Sequence, residues 1–265
     1  MDPIAQFKEN AKRAWSTFAP TENMTSATAP RLVRHAGIER GSRVLDVACG
    51  TGVAALTAAR LGAKVTGLDL TPELLARARE NASLMGLEVD FHEGDVEQLP
   101  FADGTFDVVV SQFGHMFAPR SDVATKEMLR VLKPGGTIAF STWPPEHFVG
   151  QMFALIGKYG PPPPPGVSPP AQWGDLSVVR QRLGSAVDEI VFGRDVMLVQ
   201  VLSPQHHRVY MENNIGPLTK LVGALDASDP SKLRELRREL EEIAAASFHD
   251  NHVRQDYLLT RAVKV

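Results

Sequence analysis

The nine residues from Val44 to Gly52, VLDVACGTG, constrain the fold more than any other stretch. They begin as a short apolar strand, and Gly50 and Gly52 then predict a turn into the alanine-rich helix 53–61. Residues 64–69 return as a second apolar strand that ends in an acid. Strand, turn, helix and strand form a right-handed βαβ unit, whose turn lies at the carboxyl edge of a parallel sheet. Ligands of open α/β sheets bind at that edge.

Two cofactors fit such a turn. Residues 50–55, GTGVAA, match the G-x-G-x-x-A dinucleotide pattern, with Asp69 about 20 residues further on. A nicotinamide-dependent oxidoreductase is therefore one interpretation. Asp46, however, precedes the turn, where a carboxylate can meet an ammonium group but would repel a pyrophosphate. Asp95 follows a third strand candidate, 88–92, and adds another acid at the same edge. These acids favour S-adenosylmethionine.

Four linked motifs, in this order and spacing over residues 31–143, resemble the class I S-adenosylmethionine-dependent methyltransferases. The motifs are VLDVACGTG (44–52), GLDLTPELLARAR (67–79), GDVEQLPFADGTFDVVVS (94–111) and EMLRVLKPGGTIAFSTW (127–143). The resemblance implies methyl transfer by in-line displacement, in which a nucleophile attacks the sulfonium methyl and S-adenosylhomocysteine leaves.

A cofactor site follows from the resemblance. It implies that Asp46 meets the methionine ammonium, through water, and that Asp95 with the next backbone N–H reads the adenine edge. Asp69 is expected to hold both ribose hydroxyls, because a carboxylate has two acceptor oxygens. The full set of expected cofactor contacts is Asp46, Ala48, Gly50, Gly52, Asp69, Leu70, Asp95, Val96, Ser111 and Gln112.

The segment after the fourth strand, 111–117, is expected to pass beneath the transferred methyl group. His115 is its one titratable side chain, and it is a candidate general base because its ordinary pKa lies near neutrality. The alternative is a histidine that caps a turn or lines the pocket. Trp143 either closes the pocket or packs beneath the next segment. The expected pocket residues are Trp15, Phe18, Phe113, Met116, Phe117, Trp143 and Tyr159.

The predicted architecture is a doubly wound α/β fold with a seven-stranded mixed sheet and a helical cap. Residues 1–40 are expected to form a helical lid hinged at a flexible loop, 19–29; the alternative is that the first helix only covers the edge of the fold. Residues 41–143 are expected to form the cofactor-binding core. Residues 144–185 form a proline-rich cap insert, and 186–265 complete the sheet and the substrate pocket. Within the insert, Pro161–Pro165 predicts a stiff polyproline II segment that shapes the cap, or alternatively docks to a partner.

In the C-terminal region, residues 186–192 and 195–202 are expected to form strands, or one long strand kinked at Gly193. Residues 257–265 are expected to form the last strand, and the resemblance implies that it runs antiparallel. Between them a helix carries His206 and His207. Because side chains at adjacent helical positions point in different directions, we expect both histidines to be surface residues and to form no metal site.

Charge and composition narrow the partners. Lys plus Arg number 28 against 31 Asp plus Glu, a net charge of −3, which gives no basic footprint for nucleic acid. The single Cys49 fits a reducing compartment, and no run approaches the roughly 20 apolar residues of a membrane helix. We expect a cytoplasmic enzyme acting on a small, apolar or aromatic molecule, with O-, N-, S- and C-methylation all open. A non-catalytic S-adenosylmethionine-binding module is the remaining alternative.

Overall fold

A computed structural model describes residues 2–265 and shows one mixed β-sheet flanked by helices. The strand order is β3-β2-β1-β4-β5-β8-β6, and the two-residue β7 pairs with β8. The predicted seven-stranded, doubly wound sheet is confirmed, with β7 as a short addition. The strands are β1 Arg43–Val47, β2 Lys64–Asp69, β3 Asp90–Glu93, β4 Phe106–Gln112, β5 Leu132–Thr142, β6 Val187–Gln200, β7 Phe248–His249 and β8 His252–Lys264.

The first five strands run parallel. In β1, Leu45 pairs with Thr66 of β2 on one side and with Val109 of β4 on the other. Strands buried on both faces are apolar along their length, and β1 and β4 have this pattern. Since the carboxyl ends of parallel strands meet at one edge, the residues after β1, β2, β3 and β4 converge there.

Eleven helices cover the sheet and build a layer above its carboxyl edge. They are α1 Pro3–Trp15, α2 Glu22–Ser26, α3 Ala29–His35, α4 Val53–Arg60, α5 Pro72–Met85, α6 Ser121–Val131, α7 Phe148–Tyr159, α8 Leu176–Leu183, α9 Pro204–Asn214, α10 Gly216–Ser228 and α11 Pro230–Ala246. Among them α4 packs on β1 and β2, α5 on β2 and β3, and α6 on β5.

Strands β6 and β8 extend beyond the carboxyl edge as a two-stranded wall. The last pair between β5 and β8 is Thr142 with Leu258, whereas β8 continues to pair with β6 as far as His252 with Gln200. The prediction that β8 is antiparallel is confirmed, but it begins at His252 and not at residue 257. The irregularity in β6 lies at Glu189, whose φ is 52°, so the expected kink at Gly193 was wrong.

The helical layer is built from α1, α7, α9, α10 and α11, which pack on one another. Of the insert 144–185, only α7 joins this layer. Its remainder packs on α6 and β5, where the buried Trp173 accepts a hydrogen bond from Thr142 Oγ1 through its carbonyl (2.8 Å). None of its residues 160–185 lines the cavity described below, and the cap role of its proline-rich half stays a prediction.

Segment 19–29 is not the flexible loop that its composition indicated. It forms a 3₁₀ turn, Ala19–Thr21, and then α2. Glu22 ties α2 to α5 through an ion pair with Arg77 and accepts a hydrogen bond from Asn81 Nδ2 (3.0 Å). The N-terminal region is thus anchored to the sheet's helices at this point.

Candidate active site

A cavity of about 200 Å³ lies at the carboxyl edge, beneath the helical layer. The residues after β1, β2 and β3 line one end of it, and residues of α7, α9, β6 and β8 line the other. Since β1 to β3 lie on one side of β4 in the sheet and β8 and β6 on the other, the order of the strands itself separates the two ends.

The turn after β1 has an unusual backbone. Ala48, Gly50 and Gly52 all have positive φ, at 51°, 56° and 82°. Ala48 and Gly50 line the cavity. Gly52 does not: a Cβ there would lie 3.1 Å from the Phe91 ring and 3.2 Å from Ala78 Cβ. Close packing beneath the turn and the positive φ both require a glycine here, whereas its expected cofactor contact stays a prediction.

Asp46 is a buried acid, 1% exposed, that faces the cavity. Its Oδ2 accepts a hydrogen bond from the Ala55 backbone N–H (2.9 Å), near the start of α4. Its Oδ1 has no hydrogen-bond partner among residues 2–265. Burial raises the pKa of Asp46 to about 8, and the nearby Asp69 carboxylate adds to the shift. A cationic donor at Oδ1 would reverse that penalty.

Asp69 ends β2 and is held by backbone donors. Its Oδ2 accepts from the Gly50 N–H and its Oδ1 from the Thr71 N–H, both at 2.8 Å. Burial raises the pKa of Asp69 in spite of these two bonds, which act in the opposite direction. Each oxygen keeps a further lone pair, so the carboxylate can still accept from two hydroxyl groups of a ligand.

Asp95 stands at the third strand end and is tied to the N-terminal helix. Its Oδ1 accepts from the Glu97 N–H (2.9 Å), and its Oδ2 pairs with Lys8 Nζ of α1 (2.5 Å). Lys8 also pairs with the buried Glu97 (2.5 Å), which Arg120 contacts from another side. The sequence analysis missed Lys8. It anchors α1 over this end of the cavity, and Leu70 and Val96 line the same end.

The two cofactor residues expected from β4 differ in their positions. Gln112 lines the cavity, and its Nε2 donates to the Thr25 carbonyl (2.6 Å) and to Thr28 Oγ1 (2.9 Å). Its Oε1 is buried and has no partner among the described residues. Ser111 is fully buried beneath, where its hydroxyl donates to the Val47 carbonyl and accepts from the His115 N–H. These bonds link β1 to the segment after β4, and the expected contact between Ser111 and the cofactor stays a prediction.

The aromatic half of the cavity gathers five of the seven expected pocket residues: Trp15, Phe18, Phe113, Phe117 and Trp143. Phe113 and Trp143 are stacked with ring centroids 4.0 Å apart, and Trp15 lies 4.7 Å from Phe117. Met116 and Tyr159 do not line the cavity, so their expected role was wrong. Met116 is fully buried in the core, and the Tyr159 hydroxyl donates to Glu239 of α11 (2.7 Å).

His115 lies outside the cavity and is fully buried. Its ring contacts Phe140 and Trp173, each with centroids 4.6 Å away, and neither ring nitrogen has a partner among the described residues. Burial lowers the pKa of His115 to about 3. A neutral imidazole enclosed by aromatic rings cannot take a proton from a substrate in the cavity, so the expectation of a general base was wrong.

Several lining residues had no counterpart in the sequence analysis: Met152, Phe153, Met197, Met211, Ile215 and Gln255. The helical spacing of α7 contained a signal for the first two. The signal for Gln255 was the alternation of Val253, Gln255 and Tyr257, which places a polar residue on the buried face of β8. His206 is exposed, as expected, but His207 is 1% exposed, so the surface assignment was wrong for it.

The donor set fits S-adenosylmethionine. Asp46 and Gln112 offer buried oxygens that lack donors, Asp69 offers a carboxylate to a vicinal diol, and the turn at Gly50 leaves room beside the backbone. Buried acceptors without partners are costly, and an ammonium group with several N–H donors would satisfy them. Within residues 2–265 no group of three His, Cys, Asp or Glu side chains is arranged to hold a metal ion. No helix in that range has the length and apolarity needed to span a membrane.

The chain is similar to known methyltransferases. Residues 44–136 match the family model described as a methyltransferase domain. An uncharacterized protein of Mycobacterium tuberculosis is 39% identical over 244 residues, covering 92% of this chain and 89% of that one. A ubiquinone biosynthesis O-methyltransferase of Nitrosococcus oceani is 38% identical over 167 residues, covering 59% of this chain and 68% of that one.

A solved structure supports the fold. The YcgJ protein from Bacillus subtilis superposes with a TM-score of 0.62 at 19% identity, covering 90% of this chain and 98% of that one. Together with the relatives above, the acids at the ends of β1, β2 and β3 decide against the nicotinamide-dependent alternative. The chain belongs to the class I S-adenosylmethionine-dependent methyltransferases, and it is an enzyme of that family with S-adenosylmethionine as its cofactor.

Proposed function

We propose that this methyltransferase acts on a small acceptor that is apolar or aromatic. The observation that carries the proposal is the composition of the cavity. The acids Asp46, Asp69 and Asp95 line its end near β1 to β3, whereas its other end is lined by apolar side chains, mostly aromatic residues and methionines, with Gln255 as the exception. Sites for small molecules have this character, with a few polar groups fixing orientation in an apolar pocket.

The cofactor supplies an electrophilic methyl group on a sulfonium, so the protein's task is to align and enclose the reactants. In this proposal Asp46 and Gln112 bind the methionine end, Asp69 the ribose and Val96 the adenine edge. Asp95 contributes to adenine binding from an oxygen that Lys8 also contacts. Positioning of two reactants can supply on the order of 7–11 kcal/mol of the barrier.

Exclusion of water is the second task. Phe113, Phe117 and Trp143 line the cavity together with Met152 of α7, so the walls there are apolar. No general base is assigned, because His115 is excluded by its burial. An acceptor that is already ionised, or that loses its proton to solvent, is compatible with such a site.

The similarity to a relative named for ubiquinone biosynthesis and O-methylation supports a hydroxyl group as the first acceptor class to test. The purified protein is incubated with S-adenosylmethionine labelled in its methyl group and with a panel of phenols, catechols and hydroquinones. The proposal expects label in the organic extract. A matched pair of variants controls the assay, which is run at a cofactor concentration below saturation. Asp46→Asn removes a cavity acid and should lower the labelling at least severalfold, whereas Asp103→Asn alters an acid whose side chain is 81% exposed and should leave it unchanged.

Three results would contradict the proposal. Label recovered in protein or nucleic acid would show a macromolecular acceptor. Cofactor binding with no transfer to any panel member or to a small-molecule extract would favour the non-catalytic alternative. Equal labelling by Asp46→Asn and the wild-type protein would remove the cavity as the site of reaction.

A further inference from the structure

The apolar end of the cavity contains one polar side chain to which no role has yet been assigned. Among the lining residues that follow Gln112 in the described chain, Gln255 alone is polar apart from the indole N–H of Trp143. Gln255 is 2% exposed. Burying a carboxamide without full hydrogen bonding is costly, so its presence among methionines and aromatic rings requires an explanation.

Gln255 stands on the wall that β6 and β8 form above the sheet. It pairs with Met197, which also lines the cavity. It lies three residues beyond Leu258, the last residue of β8 that pairs with β5. At about 3.4 Å per residue, Gln255 lies roughly 10 Å beyond the carboxyl edge of the parallel strands. In the strand order, β8 and the strands that carry Asp46 and Asp69 lie on opposite sides of β4.

A buried histidine holds the carboxamide. Gln255 Nε2 lies 3.4 Å from His207 Nε2 of α9, and His207 is 1% exposed. Since an amide nitrogen can only donate, the imidazole nitrogen accepts. Burial lowers the pKa of His207 to about 4, so the ring is neutral and able to accept at pH 7. The His207 ring is itself fixed against Phe148 of α7, with centroids 5.0 Å apart.

His207 therefore orients the Gln255 carboxamide: Nε2 of Gln255 donates its hydrogen bond to His207, and Oε1 of Gln255 remains available to a ligand. The side-chain hydrogen bond that Gln255 forms within residues 2–265 uses Nε2, and its Oε1 is not engaged by His207. Because this oxygen can only accept, it selects a ligand that donates. We propose that Gln255 determines acceptor specificity by accepting a hydrogen bond from a hydroxyl group of an aromatic acceptor, and that His207 is its positioning residue. This inference rests on the proposed function.

The test compares two probes of nearly equal shape, 2-naphthol and 2-methylnaphthalene. Their binding to the protein saturated with S-adenosylhomocysteine is measured by quenching of tryptophan fluorescence. The wild-type protein should prefer 2-naphthol about fivefold, as expected for one buried hydrogen bond. Gln255→Met keeps the length of the side chain, removes the acceptor and should abolish the preference. Gln255→Glu, unlike Gln255→Met, keeps an acceptor oxygen and should keep the preference for 2-naphthol.

His207→Phe should reduce the preference without weakening S-adenosylhomocysteine binding, a separation that a merely structural role would not produce. Its matched control is His206→Phe, at the exposed neighbouring position, and Gln205→Met on the same exposed surface controls for the change at Gln255. Both controls should retain the wild-type preference.

Equal affinity of the wild-type protein for the two probes, or binding of neither, would overturn the inference. So would an undiminished preference in Gln255→Met. Where a variant loses S-adenosylhomocysteine affinity, the comparison is repeated at the saturating concentration for that variant, so the ratio between probes still decides. The same ratio is measured in the protein without cofactor. A wild-type protein that fails to bind S-adenosylhomocysteine but prefers 2-naphthol would contradict the proposed function and leave the role of Gln255 standing.

Discussion

Replacing Asp46 with asparagine should stabilise the protein without cofactor and, at the same time, weaken its binding of S-adenosylhomocysteine. Asp46 Oδ2 accepts the Ala55 N–H, which an asparagine oxygen can also do. The substitution therefore preserves the internal hydrogen bond and removes the ability to carry a charge. The two effects have opposite signs, and this makes the prediction stringent.

The stability effect follows from the pKa of Asp46, which burial raises to about 8 in the folded protein. A solvated aspartate has a pKa of about 3.9. Below that pH both states are protonated and the shift has no effect. As the pH rises towards 8, only the unfolded state loses its proton, so the folded state loses about 1.4 kcal/mol of stability per pH unit. At pH 7 the penalty is of the order of 4 kcal/mol, and Asp46→Asn does not have it.

The binding effect follows from the unpartnered Oδ1. In the variant, the group facing the cavity is an amide N–H₂, which cannot accept a hydrogen bond from the ligand's ammonium. Loss of a hydrogen bond to a charged group costs about 1.5–3 kcal/mol, or at least tenfold in the dissociation constant.

Denaturant unfolding of both proteins between pH 5 and pH 8 measures the first effect, and calorimetric titration with S-adenosylhomocysteine measures the second. Stability of the wild-type protein should fall over this range more steeply than that of Asp46→Asn. A variant that is less stable than the wild type at pH 7, or that binds the ligand equally well, would refute the assignment of a buried, ligand-facing acid.

Three further substitutions test other parts of the site. Asp69→Ala should weaken S-adenosylhomocysteine binding by about 1–3 kcal/mol, and it should also lower the melting temperature because two buried N–H groups lose their acceptor; an unchanged dissociation constant would remove Asp69 from the ribose role. Lys8→Met should speed hydrogen exchange in α1 more than Lys12→Met, whose ion pair is more exposed; equal exchange in the two variants would show that Lys8 does not anchor the helix. His115→Phe should retain the wild-type pH profile of methyl transfer, and loss of one limb of that profile would restore His115 as a base.

The cofactor end of the site was predictable because its signals are local. Asp46 and Asp69 stand in the last two residues of mainly apolar strands, and Asp95 follows the short strand β3. The rule that parallel strands share an edge brings the three acids together without knowledge of packing. Gly52 is less certain evidence for a ligand, because a glycine is needed equally where a ligand approaches the backbone and where the Phe91 ring does. The sequence does not distinguish the two reasons.

The acceptor end depends on contacts between distant segments. Phe117 lines the cavity whereas His115 and Met116 in the same 3₁₀ turn are buried, because Trp173, about 60 residues later in the sequence, covers His115. The Tyr159 hydroxyl donates a hydrogen bond to Glu239 of α11, which holds the ring outside the cavity. No periodicity within a single element reports either contact.

Gln255 shows a third kind of difficulty. Its role depends on the register between β6 and β8, which carries both strands beyond the end of β5. The predicted strand began two residues too late to include it. His207 was assigned to the surface because its helix has weak apolar patterning, and only the packing of α9 against α7 and β8 buries it.

The separation of the cavity into two ends has a consequence for the history of such a chain. In the proposed arrangement, the residues that bind the methyl donor lie in one early stretch, 46–112, and most residues around the acceptor come later in the sequence. Substitutions in the later stretch can therefore change which acceptor is methylated without changing the residues that bind the donor. Proteins that share this arrangement can therefore diverge in the acceptor that they methylate while the methyl-transfer reaction stays the same.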